Sequence, residues 1–375
     1  MRDRVWAEIS YSKLRNNLDQ IKKIIGDKSI ICMVKDNAYG HGSVNVSKYL
    51  SKDDRVKAFA VACMSEAKEL RDNGIDKDII IIGLIYRSRY KDAIINDYVM
   101  TISTLEQAIE INEVAGSISK VARLEIGIDT GMGRIGFPVN EKTIEDIKKI
   151  SELKNVSIYG FFTHFSVADS DKDDVESIKY TEEQERKYAD IIDKVKSLGI
   201  STGNISIANS AGVLSGRGEN CTSVRPGIIL YGLLPSKAFS NNDLQPIMSL
   251  KSQIIHIKEI DSNTSISYGR TFVSKGKMKI ATISCGYGDG YPRSASNKTE
   301  VIVNDKRCKV VGRVTMDMLM VDVTGVDCKV EDEVILIGES KSEKITLQEI
   351  CDETSEFTYE VMTSIGKRVE RVYID

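Results

Sequence analysis

Between residues 29 and 232, apolar runs alternate with amphipathic stretches. The runs are 29–35, 57–62, 79–84, 98–102, 121–128, 156–163, 204–208 and 222–226. Most are apolar at successive rather than alternate positions, the pattern of parallel strands covered on both faces. The stretches between them repeat at helical spacing. In 104–115 the apolar positions are Leu105, Ala108, Ile109 and Val114, and 182–199 closes on Gly199, a helix-stop signal. Eight strand–helix units in about 200 residues match a (β/α)8 barrel. A doubly wound sheet could use the same strands. After about residue 240 the texture changes to β-branched and alternating runs: "MSLKSQIIHIKEI", "KMKIATISCG", "LMVDVT", "EVILIG" and "RVERVYI". Helical signal there is confined to about 346–366. The pattern predicts an α/β protein, with an N-terminal TIM barrel over 1–240 and a mostly-β C-terminal domain over 241–375. The opening "RVWAEI" is β-like, so residues 1–10 are a candidate to pair with the second domain.

Composition narrows the class. Among 375 residues, 52 Lys+Arg face 55 Asp+Glu, a net charge of −3. That balance argues against a nucleic-acid or polybasic-membrane partner. The first ten residues hold no apolar leader segment, and the longest aliphatic stretch, Ile79 to Tyr86, is too short to span a membrane. Seven scattered cysteines without a C-x-x-C pair read as reduced thiols, and three histidines without ligand spacing predict no metal site. The expected location is the cytoplasm.

Against this background "VKDNAYGHG" stands out. Lys35 ends the first barrel strand on the rim where such barrels carry active sites. A lysine there can condense with an aldehyde, pyridoxal phosphate above all, or be an ordinary surface lysine. Tyr39, four residues on, could offer its hydroxyl to a phosphate. Loops after the seventh and eighth strands often bind phosphate. Here they read "IANSAG" and "RPGIILYG". Asn209 and Ser210 cap a short helix, and Gly227 allows close backbone approach, though capping and turn chemistry alone would also account for both loops. His164 and Arg225 end strands six and eight. An arginine facing a pyridine nitrogen only donates, so it would keep that nitrogen unprotonated and weaken the ring as an electron sink. The literal G-x-G-x-x-G in "TGMGRIG" (130–136) is not a dinucleotide loop, because Pro138 and Asn140 follow it and no helix opens there. Arg134 within it can hold a carboxylate in bidentate fashion or make a structural ion pair.

Together, "VKDNAYGHG", "DTGMGRIGF", "THFSVAD", "ANSAG", "VRPGIILYG", "SYGRTF", "GYGDGYPR", "VGRVTMDM" and "TYEVMTSIGKRVERVY" resemble the alanine racemase family. The resemblance spans essentially the whole chain. It implies a pyridoxal 5′-phosphate enzyme that interconverts L- and D-alanine and supplies D-alanine to peptidoglycan. It further implies a head-to-tail homodimer, the second domain of one subunit covering the barrel mouth of the other. Lys35 looks like the lysine joined to the cofactor and one catalytic base; Tyr268 of the partner subunit is the other. Arg225 would meet the pyridine nitrogen with His164 behind it. Tyr39, Ser210, Gly227, Ile228 and Tyr359 would hold the phosphate. Arg134 and the Met316 backbone would take the substrate carboxylate, and Tyr287 and Asp317 would line the entryway. Two positions depart from the family pattern. Gly127 stands where many relatives carry a lysine that orients the arginine seven residues on, so a bound anion or another side chain must hold Arg134. Thr315 replaces a common cysteine. The alternatives are a serine or broad-specificity racemase, an amino-acid decarboxylase on the same plan, and a non-catalytic cofactor carrier.

Overall fold

The computed structural model describes residues 4–240 and 243–375. Two units emerge: Leu14–Ala38 with Ser43–Gln245, and Met1–Lys13 with Tyr39–Gly42 and Pro246–Asp375.

In the first unit the barrel strands are β2 (Ser29–Met33), β3 (Val56–Val61), β4 (Asp78–Ile81), β5 (Val99–Ile102), β6 (Ala122–Asp129), β7 (Val156–Phe162), β8 (Asn204–Ser206) and β9 (Ser223–Val224); β1 belongs to the other unit. All pair in parallel, in the order β5-β4-β3-β2-β9-β8-β7-β6, and β6 returns to β5. The ring is therefore closed, so no strand edge is left to recruit another chain. The doubly wound alternative is excluded. Helices follow the strands, and their starts are written in the sequence. Thr104 accepts from Gln107 N ahead of the helix Leu105–Ser117, and Asn140 from Thr143 N ahead of Glu141–Ser151. The helix expected from residue 182 starts earlier, at Val175, because Asp174 accepts from the Ser177 backbone and hydroxyl at 3.1 and 2.7 Å. Among the described residues no helix is long and apolar enough to cross a membrane.

The barrel core is largely apolar but carries a polar level. Glu125 on β6 is fully buried, as are Asn204 on β8 and Ser223 on β9. Gly160 on β7 lies between Glu125 and Asn204 in register. A Cβ at Gly160 would sit 2.8 Å from that of Asn204, so only glycine lets the asparagine in. The Asn204 carbonyl oxygen accepts from the Ser223 hydroxyl and, at 3.3 Å, from Lys57 Nζ. Its amide lies near Glu125, but no hydrogen bond closes onto either carboxylate oxygen.

The second unit is built on the 13-residue strand Met248–Ile260, buried at alternate positions along its first half. β1 (Val5–Ser10) pairs antiparallel with it and parallel with Glu370–Ile374. The N- and C-terminal strands thus close one side of this sheet. The helices are Leu347–Thr354 and Thr358–Ser364, within the expected 346–366.

Glu125 yields a pH prediction. Burial raises its carboxyl from 4.5 to about 7 against the opposing pull of Arg225, Asn204 and Lys57. The folded protein thus keeps a proton between pH 4.5 and about 7 that the unfolded chain has released, and stability falls as pH rises through that window. Relative to Glu125→Gln, the parent should lose up to about 3 kcal/mol between pH 4.5 and 8. Urea unfolding of both proteins at matched concentration reads this difference. A difference that does not change with pH would refute the assignment.

Candidate active site

β2 stops at Met33, two residues short of the expected run, and the chain then turns with the opposite hand. Asp36, Asn37, Ala38 and Tyr39 all have φ between 52° and 55°. Left-handed backbone costs about 1–2 kcal/mol per ordinary residue, so the surroundings must impose it. Glu66 does much of this, accepting from the backbone N–H of Asp36 at 2.6 Å and of Ala62 at 2.7 Å. Asn37 Oδ1 accepts from Ser43 N at 3.0 Å, and Tyr231 Oη donates to the Met33 carbonyl at 2.7 Å. Lys35 opens this strained turn. Burial lowers the pKa of its amine, and Arg134 lowers it further; Glu66 and Asp36 oppose.

Arg225, at the end of β9, is buried. Its Nη1 donates to Ser206 Oγ at 2.5 Å; its Nη2 donates to the Thr163 carbonyl at 2.6 Å and, at 3.4 Å, to Ile207 O and His164 Nδ1. The Phe162 ring lies 5.3 Å from the guanidinium carbon. Nε is the nitrogen with no protein acceptor among the described residues. Because guanidinium only donates, His164 Nδ1 must accept, which puts the imidazole proton on Nε2. The histidine is neutral: burial first, then Arg225, Arg134 and Lys35, push it down to about 3.

The two candidate phosphate loops meet. Asn209 Oδ1 caps the helix Ser210–Leu214 by accepting from Gly212 N at 2.9 Å, and Ser210 Oγ accepts from Gly227 N at 2.9 Å. Ile228 is buried and starts a short 3-10 turn. Arg134 is exposed, with no hydrogen bond or ion pair among the described residues. Within the barrel unit Arg134 thus acts electrostatically on Lys35, His164 and Arg225, and Lys35 and Arg225 both act on His164.

The remaining candidates lie in the second unit. The rings of Tyr39 and Tyr359 are 6.0 Å apart, and Arg371 donates to the neighbouring Gly40 carbonyl at 2.9 and 2.8 Å. Tyr287, Met316 and Asp317 form one cluster. Tyr287 N donates to Thr315 O and Gly288 N to Met316 O, while Asp317 pairs with Arg368 at 2.8 Å. Arg368 and Arg4 also share the buried Asp289. Thr315 Oγ1 and the Met318 backbone bond each other reciprocally. Tyr268 sits on a separate loop, 71% exposed. Sequence reasoning missed Ser206, Glu66 and Gln184, whose amide donates to Thr130 Oγ1 and the His164 carbonyl. Only Ser206 left a trace: it alternates with Asn204 on a strand whose inward positions are polar.

Profiles described as "Alanine racemase, N-terminal domain" and "Alanine racemase, C-terminal domain" match residues 9–235 and 247–373. Alanine racemase of Clostridium novyi (strain NT) is 40% identical over 374 residues, covering 99% of this chain and 95% of the relative. Alanine racemase of Clostridium difficile 630 superposes with a TM-score of 0.93 at 38% identity, covering 100% of this chain and 96% of that one. The structure of alanine racemase from Bartonella henselae "with covalently bound pyridoxal phosphate" matches with a TM-score of 0.86 at 25% identity, covering the whole of both chains. With both profiles matched in order on a closed barrel and a β domain, this chain belongs to the alanine racemase family.

Proposed function

We propose that the protein interconverts L- and D-alanine with pyridoxal 5′-phosphate as cofactor, working as a cytoplasmic homodimer that supplies D-alanine for cell-wall peptidoglycan. One observation carries this reading: a lysine amine of lowered pKa and a buried arginine whose Nε has no acceptor among the described residues both act on His164 in one barrel unit. These residues fit the cofactor. A less basic amine suits condensation with an aldehyde. The Nε–H of Arg225 suits an unprotonated pyridine nitrogen, and the joined Ser210 and Gly227 loops suit a phosphate. When bound, the cofactor supplies an electron-accepting ring that acidifies the Cα proton of the amino acid.

The chain's own groups then have defined work. Lys35 Nζ, once free, takes or returns the Cα proton on the face used for the D isomer. Tyr268 Oη of the second subunit serves the L face. Two faces need two bases, and proton transfer by positioned groups is efficient only within hydrogen-bond reach. Arg225 keeps the electron sink weak, which suits brief proton loss and return and disfavours decarboxylation. Arg134 holds the substrate carboxylate with the Met316 N–H; the Met316 carbonyl is already taken by Gly288. Tyr287 and Asp317 stand at the entry. Exposure supports the dimer: Tyr268, Tyr287, Met316 and Met318 are 71%, 42%, 54% and 43% exposed in the single chain, as large side chains awaiting a partner are. The seven free cysteines support a reducing compartment.

Purified protein incubated with single L-amino acids should form D-alanine faster than any other D-amino acid, read by chiral chromatography. A preference for serine would move the assignment to the broader racemases. Lys35→Ala should lose the yellow colour of the bound cofactor and, in both directions, at least about a thousandfold of the rate.

A shared site has its own signature. Lys35→Ala and Tyr268→Phe proteins, each nearly inactive, should regain activity when mixed, because hybrid dimers hold one intact pair. No recovery after verified subunit exchange would mean that both bases come from one chain.

A further inference from the structure

The position seven residues before Arg134 is Gly127, which offers no side chain to brace the arginine and whose surroundings are tight for one. A Cβ there would lie 3.2 and 3.3 Å from the Phe162 ring and 3.4 Å from Gly136 Cα. That ring is also the one beside the Arg225 guanidinium, so displacing it would disturb the buried arginine. Arg134 itself has no bonded side-chain neighbour among the described residues. Yet a bidentate contact with a carboxylate needs the guanidinium aimed before the ligand arrives. The brace must act on the backbone.

Three ties meet on the 130–136 loop, two of them on its backbone. Asp129 Oδ1 accepts from both Gly131 N and Gly133 N at 3.0 Å. Tyr180 Oη donates to the Gly131 carbonyl at 2.8 Å. Gln184, one turn further along the same helix and so on the same face, donates to Thr130 Oγ1 at 3.2 Å, and Thr130 Oγ1 in turn bonds Thr163 Oγ1 at 2.8 Å. The glycines make this possible. Gly131 (φ 141°) has Tyr180 where a Cβ would project, with Tyr180 Cζ 3.0 Å away. At Gly136 (φ 125°) an added Cβ would lie 2.6 and 2.8 Å from the Asp129 and Ile128 backbone, so only glycine allows this close approach. The loop from Thr130 to Gly136 is thus fastened at its start by a carboxylate and two helix side chains and at its end by backbone packing.

We propose that Tyr180 and Asp129 are positioning residues for the substrate carboxylate: they lock the 130–136 loop and thereby aim Arg134, the task a side chain at Gly127 cannot perform here. The inference rests on the reading of Arg134 as the carboxylate holder. Neither residue touches the reacting atoms, so the loss on mutation falls on binding of the carboxylate and not on proton transfer.

The test uses the holoenzyme and propanoate, which is alanine without its amine, as a competitive inhibitor. Tyr180→Phe removes one hydroxyl and keeps the ring. It should raise KM for L- and D-alanine and the Ki of propanoate by the same factor, about five- to tenfold, with kcat changed less than about twofold. Asp129→Ala should act alike, while Asp129→Asn, which keeps Oδ1 as an acceptor, should restore most of the affinity. Arg134→Gln is the control for the underlying reading. If it leaves KM and Ki unchanged, Arg134 does not hold the carboxylate. If it raises both while Tyr180→Phe raises neither, the reading of Arg134 stands and the clamp is overturned. A Tyr180→Phe protein that loses thermal stability and kcat at unchanged Ki also overturns it. In the Tyr180→Phe, Arg134→Gln double variant the tyrosine change should add nothing, since a brace without its arginine has nothing to aim.

Discussion

A guanidinium buried inside a barrel dictates most of what surrounds it. Arg225 cannot shed its proton, and an unpaired buried charge would cost several kcal/mol. It must find acceptors, and β8 and β7 provide them: Ser206 Oγ, the Thr163 carbonyl and the Ile207 carbonyl. Once these are taken, the next consequences are forced. His164 beside it cannot also be charged and is held neutral at a value near 3. Glu125, deeper in the barrel, feels the same positive field, and that field limits how far burial can raise its carboxyl. Nε, the nitrogen left without an acceptor among the described residues, is the one available to a ring nitrogen. The electronic character proposed for the site follows from how a fixed cation is satisfied.

The second constraint is backbone strain beside Lys35. Four consecutive left-handed residues, none of them glycine, could not persist on local preference alone. Asp36 and Asn37 tolerate the conformation, but Ala38 and Tyr39 do not choose it. The carboxylate of Glu66 and the hydroxyl of Tyr231 hold the segment and its approach from outside, and the side chain of Asn37 ties it to Ser43. The amine thus leaves a rigid turn and not a mobile loop, in partly buried surroundings that make it less basic. Strain, burial and nucleophilicity are linked here by one geometry.

Much of the fold was legible because the barrel strands are unbroken apolar runs, which hydrophobic pattern reports directly. Ser29–Met33, Ala122–Asp129 and Val156–Phe162 lie within about two residues of where the pattern puts them. Ser223–Val224 is only two residues long, and its run was recognisable chiefly from its neighbours in the repeat. The helix from Val175 was clipped because an acidic, polar first turn hides the apolar period. What the sequence concealed were properties of contact. Glu125 looks like one polar interruption of a strand, and nothing local says that it faces inward. Glu66 reads as an ordinary charge in a first helical turn. Tyr180 reads as an aromatic on a charged helix, and its bond to Gly131 spans 49 positions. Lys35, Arg225, Asn209 and Ser210 were visible because strand ends and caps have fixed places in a barrel.

Arg225 and Arg134 of the barrel unit show two solutions to one problem. Arg225 is located through its own nitrogens, so its position is as firm as the strands that bear its acceptors. Arg134 has no such partners, and its side chain must stay available for a ligand. For such a residue precision has to come from the main chain, and main-chain precision in a glycine-rich loop has to come from outside, since Gly131, Gly133 and Gly136 impose little conformation themselves. The aspartate that collects two N–H groups and the tyrosine that holds a carbonyl fix φ and ψ where the sequence leaves them free. A loop with three glycines near a reactive lysine is then not a flexible element. At Gly131 and Gly136 other groups come too close for a Cβ, while Gly133 is free of neighbours and takes a left-handed φ of 67°; the close approach at the first two is what gives the arginine a direction.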